Sequence, residues 1–257
     1  MRCCVSENRP ATPAGVKRQL RQESGFGCSF CGHPFVQYHH IIPWREDQHF
    51  RPEDMMVVCP NCHHLCTTDA ISQREQRASK NRPKNVADGF VRGRLYVNNK
   101  EPFVWIGGGK AVNTPELIRV GGIPILRVIF DPKDGRALVS ARMYDANGIP
   151  FAVVENNEWV VSIPKIWDLE VFPRSAKISE KPQEISLSVR TQDDGVRLTG
   201  VWNIGSERIE FGSERIAYGN TSMVAPTFTN CRTLLELRAP ENFGKLPGLG
   251  GMPWRKK

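Results

Sequence analysis

The chain has no apolar run long enough to cross a bilayer, and its first residues, MRCCVSENRP, lack the apolar core of a signal peptide. Both absences lead to the expectation of a cytosolic protein that does not enter a membrane. A reducing compartment in turn makes C-x-x-C pairs metal or redox sites rather than disulfides. No 3.6-residue periodicity is present beyond Arg92, which excludes a second helical domain. No P-loop spacing surrounds Gly107-Gly108-Gly109-Lys110, so that glycine run reads as a turn. A βαβ context for thioredoxin-like redox chemistry is also missing.

What is present is concentrated. All 6 histidines lie between Cys28 and His64, together with two C-x-x-C pairs, Cys28/Cys31 and Cys59/Cys62. Four thiolates on two knuckles can close a tetrahedral zinc shell, and such a saturated shell is structural. A small module with little apolar content needs such a staple. Cys3, Cys4 and Cys66 stand apart from this shell. Cys3 and Cys4 are adjacent free thiols, and Cys66 falls outside the knuckle spacing.

The formal net charge of +8 is uneven. Arg74, Arg77, Lys80, Arg82, Lys84, Arg92 and Arg94 face only Glu75 and Asp88 in their own stretch, and Lys245, Arg255, Lys256 and Lys257 crowd the end. A basic belt beside a metal module suggests a polyanion partner; a solvated helix face is the plainer alternative.

The order of elements reads as follows. Residues 1–12 are a flexible lead. Thr12-Pro13 opens a helix that ends at Gly25 and Gly27, with Val16 and Leu20 on one face and Arg21 off it. Phe35–Ile42 and Met55–Val58 read as strands, Trp44–Arg51 as a polar loop. One helix is expected from the second knuckle to Asn81-Arg82-Pro83. From Arg92, short β-branched and aromatic segments alternate with turn signals such as Glu155-Asn156-Asn157. Trp105, Trp159, Trp167 and Trp202 read as core residues there. The fold class expected is α+β: a zinc module at 13–90, a mainly antiparallel β domain (sandwich or barrel) at 91–230, and a basic Pro/Gly-rich tail at 231–257.

C-x-x-C, then His39-His40-Ile41-Ile42-Pro43, then Cys59-Pro60-Asn61-Cys62-His63 resembles the HNH endonucleases, whose core is a ββα-metal fold. The resemblance covers roughly a quarter of the chain. It implies hydrolysis of DNA phosphodiester bonds, double-stranded DNA being the family's usual substrate, to a 5′-phosphate and a 3′-hydroxyl. It implies His40 as general base, His39 and His63 as ligands of one catalytic Mg²⁺ or Mn²⁺, and Asp54 at the position of the family's central Asn, orienting His40. Cys28, Cys31, Cys59 and Cys62 would hold the structural Zn²⁺. Arg45 is placed to meet the scissile phosphate, and Arg74, Arg77, Lys80, Arg82 and Lys84 to follow the DNA backbone. His33 and His49 read as turn and solvent-exposed loop residues. Three functions fit: a nuclease in restriction-like or anti-phage defence, a zinc-stapled nucleic-acid binder without cleavage, or a nuclease latent until the β domain assembles as a homo-oligomer or binds a ligand.

Overall fold

The computed structural model describes residues 10–97, 101–145, 149–192, 195–204 and 207–239. Most of the lead, the turn positions Ala146-Asn147-Gly148 and Asp193-Asp194, Cys3, Cys4 and the basic residues from Lys245 onward lie outside them.

The N-terminal module starts with α1 (Ala14–Glu23), preceded by Pro13. Val16 and Leu20 turn toward Met55 and Val57 and form a small core with Val36, Tyr38 and Phe50. The helix ends because Gly25 and Phe26 take positive φ, 66° and 60°. The hairpin β1 (Gln37–His40) and β2 (Met55–Val58) is antiparallel, with His40 opposite Met55 and His39 opposite Met56. Every residue of β2 is buried, so this short strand is the spine of the module.

The single helix expected after the second knuckle is two. α2 (Pro60–Thr67) stops where the Thr67 and Thr68 hydroxyls donate back to the His63 and His64 carbonyls and Asp69 takes φ 59°. Then α3 (Gln73–Asn81) begins on a full capping box, Ser72 with Glu75. The break lets α3 fold back against the hairpin, where it packs on β2 and Gln76 reaches His39 of β1. Pro83 then opens α4 (Lys84–Asp88), which ends at Gly89 with φ 80°.

From Phe90 onward the chain is strand and turn. The first run is β3 (Phe90–Arg94), β4 (Phe103–Ile106), β5 (Gly109–Val112), β6 (Glu116–Val120), β7 (Ile123–Phe130), β8 (Ala137–Tyr144), β9 (Pro150–Glu155) and β10 (Glu158–Ser162). The second is β11 (Asp168–Phe172), β12 (Ser175–Ser179), β13 (Leu187–Gln192), β14 (Gly195–Ile204), β15 (Glu207–Phe211), β16 (Arg215–Tyr218), β17 (Thr221–Val224), β18 (Thr227–Thr229) and β19 (Thr233–Leu237). One sheet has seven strands in the order β19-β6-β7-β8-β9-β10-β3; the other runs β11 to β17 in sequence and takes β4 beside β14, with β5 next to β4 and β18 next to β5. Side chains of both sheets fill one continuous core, from Leu126, Val139 and Val161 to Leu198, Ile209 and Phe211. The pairing is mainly antiparallel, with parallel exceptions at β4–β14, β5–β18 and β6–β19.

Two further expectations are corrected. Thr233–Leu237, assigned to the tail, forms β19 at the sheet edge, with Leu234 and Leu237 in the core. Of the tryptophans, Trp159 and Trp202 are core residues. Trp167 instead is 37% exposed, and Trp105 lies half-buried between the Lys110 and Arg197 cations. The glycine run is the turn between β4 and β5, held so close to Pro226 that no side chain fits at Gly109. Asn156 and Asn157 turn β9 into β10 at φ 49° and 72°. Buried Asn157 also accepts from Val139 N–H at 2.8 Å and donates to the Ala137 carbonyl at 2.9 Å, which ties the turn to β8.

The module is not a bead on a linker. Arg21, 7% exposed, donates to Asp168 at 2.9 and 2.6 Å, to Glu170 at 3.0 Å and to the Tyr38 hydroxyl at 2.7 Å. Phe26 belongs to the core of the β domain.

Candidate active site and metal centre

Cys28 follows α1 and is fully buried, and its turn is closed from both sides. Its N–H donates to the His33 carbonyl at 2.9 Å, and Gly32 N–H donates to the Cys28 carbonyl at 2.8 Å. Gly32 takes φ 78°, the conformation the tight knuckle requires. The second knuckle is a helix start, where the Cys59 sulfur accepts the Cys62 N–H at 3.5 Å. The sulfurs of Cys28, Cys31, Cys59 and Cys62 all lie within 4.8 Å of one another. Cys31 and Cys59 are 3.7 Å apart. Four sulfurs at ~2.3 Å from one zinc ion sit about 3.8 Å from each other, so the cluster has the dimensions of a closed zinc shell. Burial pushes the Cys31 thiol up to about 11 and the Cys62 thiol higher still. At Cys59 burial also disfavours the thiolate, but hydrogen bonds from Cys62 and the neighbouring thiols outweigh it and lower the pKa. Cys66 packs into the surrounding apolar shell without joining the cluster.

His39 is paired with Met56, which packs with the cysteines, and His40 with Met55, which packs with Leu20 of α1, so the two neighbours belong to opposite faces of the hairpin. β1 supplies His39 and His40, both buried, and α2 supplies His63. His39 and His63 meet edge to face with ring centroids 5.1 Å apart. Rings that share one ion at ~2.1 Å through a nitrogen each place their centroids about 5 Å apart, so this pair fits a common cation. His64, one residue on, is exposed. The outer nitrogens are engaged by two amides: His39 Nε2 bonds Gln76 Oε1 at 3.0 Å, and His63 Nδ1 bonds Gln37 Oε1 at 2.6 Å. Amide oxygens only accept, so both imidazoles donate there and carry their lone pairs on His39 Nδ1 and His63 Nε2.

His40 Nε2 donates to the His49 carbonyl at 2.8 Å, which leaves its lone pair on Nδ1. Trp44, His49 and Phe50 enclose the ring at centroid distances of 5.4, 5.1 and 6.0 Å. Residues 28–68 match the family model of the HNH endonucleases. This stretch is an HNH module. Curated proteins and solved structures yield no match to the chain. The match takes in both knuckles, His39, His40, Asp54 and His63, and stops short of Gln76 and the basic belt.

Two positions differ from what the sequence suggested. The Asp54 side chain is engaged by two arginines. Its carboxylate accepts from Arg77 at 2.9 Å and Arg51 at 3.1 Å, and the Arg77 hydrogen bond leads the effects that hold it below the ordinary carboxylate range. Its backbone carbonyl takes the Ile41 N–H at 2.8 Å, which fixes the hairpin next to His40. His49, expected in solvent, is 6% exposed. Its Nδ1 accepts Arg51 N–H at 3.2 Å, and its buried Nε2 has no hydrogen-bond partner among the described residues.

Three cations of the belt are paired among the described residues, two of them from outside its own stretch. Arg77 pairs with Asp54, Lys80 with Glu23 at 2.8 Å, and Lys84 with Asp88. Arg74 and Arg82 are exposed. Arg45 is 85% exposed and lies 3.9 Å from Glu46. The sequence did not single out Gln37, Gln76 or Arg51; only the Ser72-x-x-Glu75 capping box hinted that α3 starts afresh.

Proposed function

We propose that the HNH module hydrolyses DNA phosphodiester bonds, with His40 as the general base and His39 and His63 as the protein ligands of one divalent cation. The observation that supports this most is the His39–His63 pair at 5.1 Å, with each outer nitrogen held by a glutamine oxygen. His40 follows His39 in β1. With its Nε2 proton donated to the His49 carbonyl, Nδ1 is the basic nitrogen that would take a proton from the attacking water. An imidazole of unperturbed pKa ~6.5 is mostly neutral at cellular pH and suits the task. The cation, Mg²⁺ or Mn²⁺, supplies charge stabilisation at the scissile phosphate and the leaving oxygen. Zn²⁺ on the four cysteines would have no open position and would tie the first knuckle to the start of α2.

Double-stranded DNA is the proposed substrate, with Arg45, Arg74 and Arg82 available to its phosphates and with Arg77, Lys80 and Lys84 serving first as internal ion-pair partners. A plasmid-nicking assay with Mg²⁺, Mn²⁺ or EDTA tests the reading. Cutting with cation, and its loss in His40→Ala with zinc content and DNA affinity kept, is the expected result. Equal cutting by wild type and His40→Ala would overturn the assignment. Binding without any cutting would instead support a zinc-stapled nucleic-acid binder.

A further inference from the structure

β3 leaves the HNH module directly and, among the described residues, pairs only with β10, so it is the open edge of the seven-stranded sheet. Its path stays extended past Arg94, where Leu95 N–H donates to the Asn157 carbonyl at 2.7 Å. Alternate residues of an extended chain share a face. Val91, Leu95 and Val97 are buried on one side, while Phe90, Arg92, Arg94 and Tyr96 line the other. The Arg92 guanidinium stands 5.1 Å over the Phe90 ring. Tyr96 packs 5.7 Å from Phe35, which itself lies 5.4 Å from His33 of the first knuckle. The aromatic row is thus continuous from the zinc knuckle to the β domain.

Beyond Tyr96 the row borders a shallow surface cleft whose far wall is the β11–β12 turn, with Phe172 and Arg174, and which Leu95, Val97, Val171 and Val189 also line. Among the described residues no acidic side chain lines it. Tyr96 is 58% exposed and Phe172 57% exposed. Arginines alone would suffice to block edge-to-edge pairing of β3, but that role gives no reason to hold two aromatic rings in water. Rings with exposed faces between guanidiniums suit unpaired bases on a phosphate backbone, because every base has a π-face and every linkage a negative charge.

We propose that the Phe90–Arg92–Arg94–Tyr96 row and the Phe172–Arg174 cleft bind a single-stranded nucleic-acid segment, stacking bases on Tyr96 and Phe172. The proposal rests on the nuclease reading for its biological sense, since it extends the substrate track of the HNH module onto the β domain. It does not rest on that reading for its test.

The test is fluorescence anisotropy of the full chain with a labelled oligothymidylate of about 20 nucleotides, in EDTA and at low salt. Wild type and His40→Ala are expected to bind alike and to weaken steeply as salt rises. Tyr96→Leu/Phe172→Leu, which keeps apolar bulk and removes both rings, is expected to lose about tenfold or more in affinity with an unchanged melting temperature. Arg94→Gln is expected to weaken binding and flatten the salt dependence. Equal affinity of the double variant and wild type would overturn the proposal. So would an equal loss on a blunt duplex, which would make the surface a general DNA contact. A wild type that cuts nothing yet shows ring-dependent binding would overturn the catalytic reading and leave this one standing.

Discussion

His40 is constrained twice, by a carbonyl that fixes its tautomer and by three rings packed around it. General-base catalysis accounts for about 10²–10⁴-fold of rate, so His40→Ala should reduce cutting by that order while zinc content stays unchanged. Gln76 and Gln37 orient the two other histidines. Removing an outer partner of a metal-ligating histidine typically weakens the metal about 10–100-fold, so Gln76→Leu should raise the Mn²⁺ dissociation constant by that order in titration calorimetry, without change at the cysteines. Asp54 gives a pH-dependent prediction. Its pKa is depressed in the folded state, so the unfolded state binds more protons in the interval between the two values. The stability it adds is present above an unfolded pKa of ~3.9 and is lost as pH falls through the lower folded value. Thermal melts should therefore separate wild type from Asp54→Asn near neutral pH and converge in acid. The sulfur cluster was legible in the sequence because each C-x-x-C pair is local, whereas the pairing of His39 with His63 rested on the resemblance to the HNH endonucleases. His49 was not: a histidine in a polar loop gives no local sign that Trp44 and Phe50 will fold over the site.

The elements divide in the same way between those that local chemistry decides and those it does not. The knuckles, the hairpin strands and the Asn156-Asn157 turn follow from residue types at fixed offsets. The break between α2 and α3 depends on Thr67, Thr68 and Asp69, weak helix stoppers whose combined effect is decided by what α3 can then cover. That break carries Gln76 to His39. β19 was misassigned because a five-residue strand beside a Pro/Gly-rich stretch has no pattern of its own; it acquires one by pairing parallel to β6. The Arg21 cluster lies at the same scale, joining α1 to β11. Burial weakens the case for charge on Arg21, but the Asp168 hydrogen bond more than offsets it and the guanidinium stays protonated. Removing one partner of a buried pair costs about 3–5 kcal/mol, because the other charge is left uncompensated. Asp168→Leu should therefore lower the urea midpoint sharply, and Arg21→Met/Asp168→Leu should recover part of the loss. A double variant worse than either single one would contradict this account.

At the scale of the whole molecule, two cohesive systems of different origin are joined. The β sandwich is held by one extended apolar core. The HNH module has two small clusters, and a zinc ion on the four sulfurs would supply the rest of its cohesion. Strong chelation should therefore abolish the near-ultraviolet signal of the module and leave the far-ultraviolet β spectrum largely intact. The seam between the two has its own consequence. Cut free after Gly89, the module would carry Arg21 and Phe26 into water, their companions left behind on the sandwich. The HNH module is therefore no transplantable cassette. Chimeras that keep it should need the β11 edge as well, and descendants that shuffle it into new proteins must first rewrite α1.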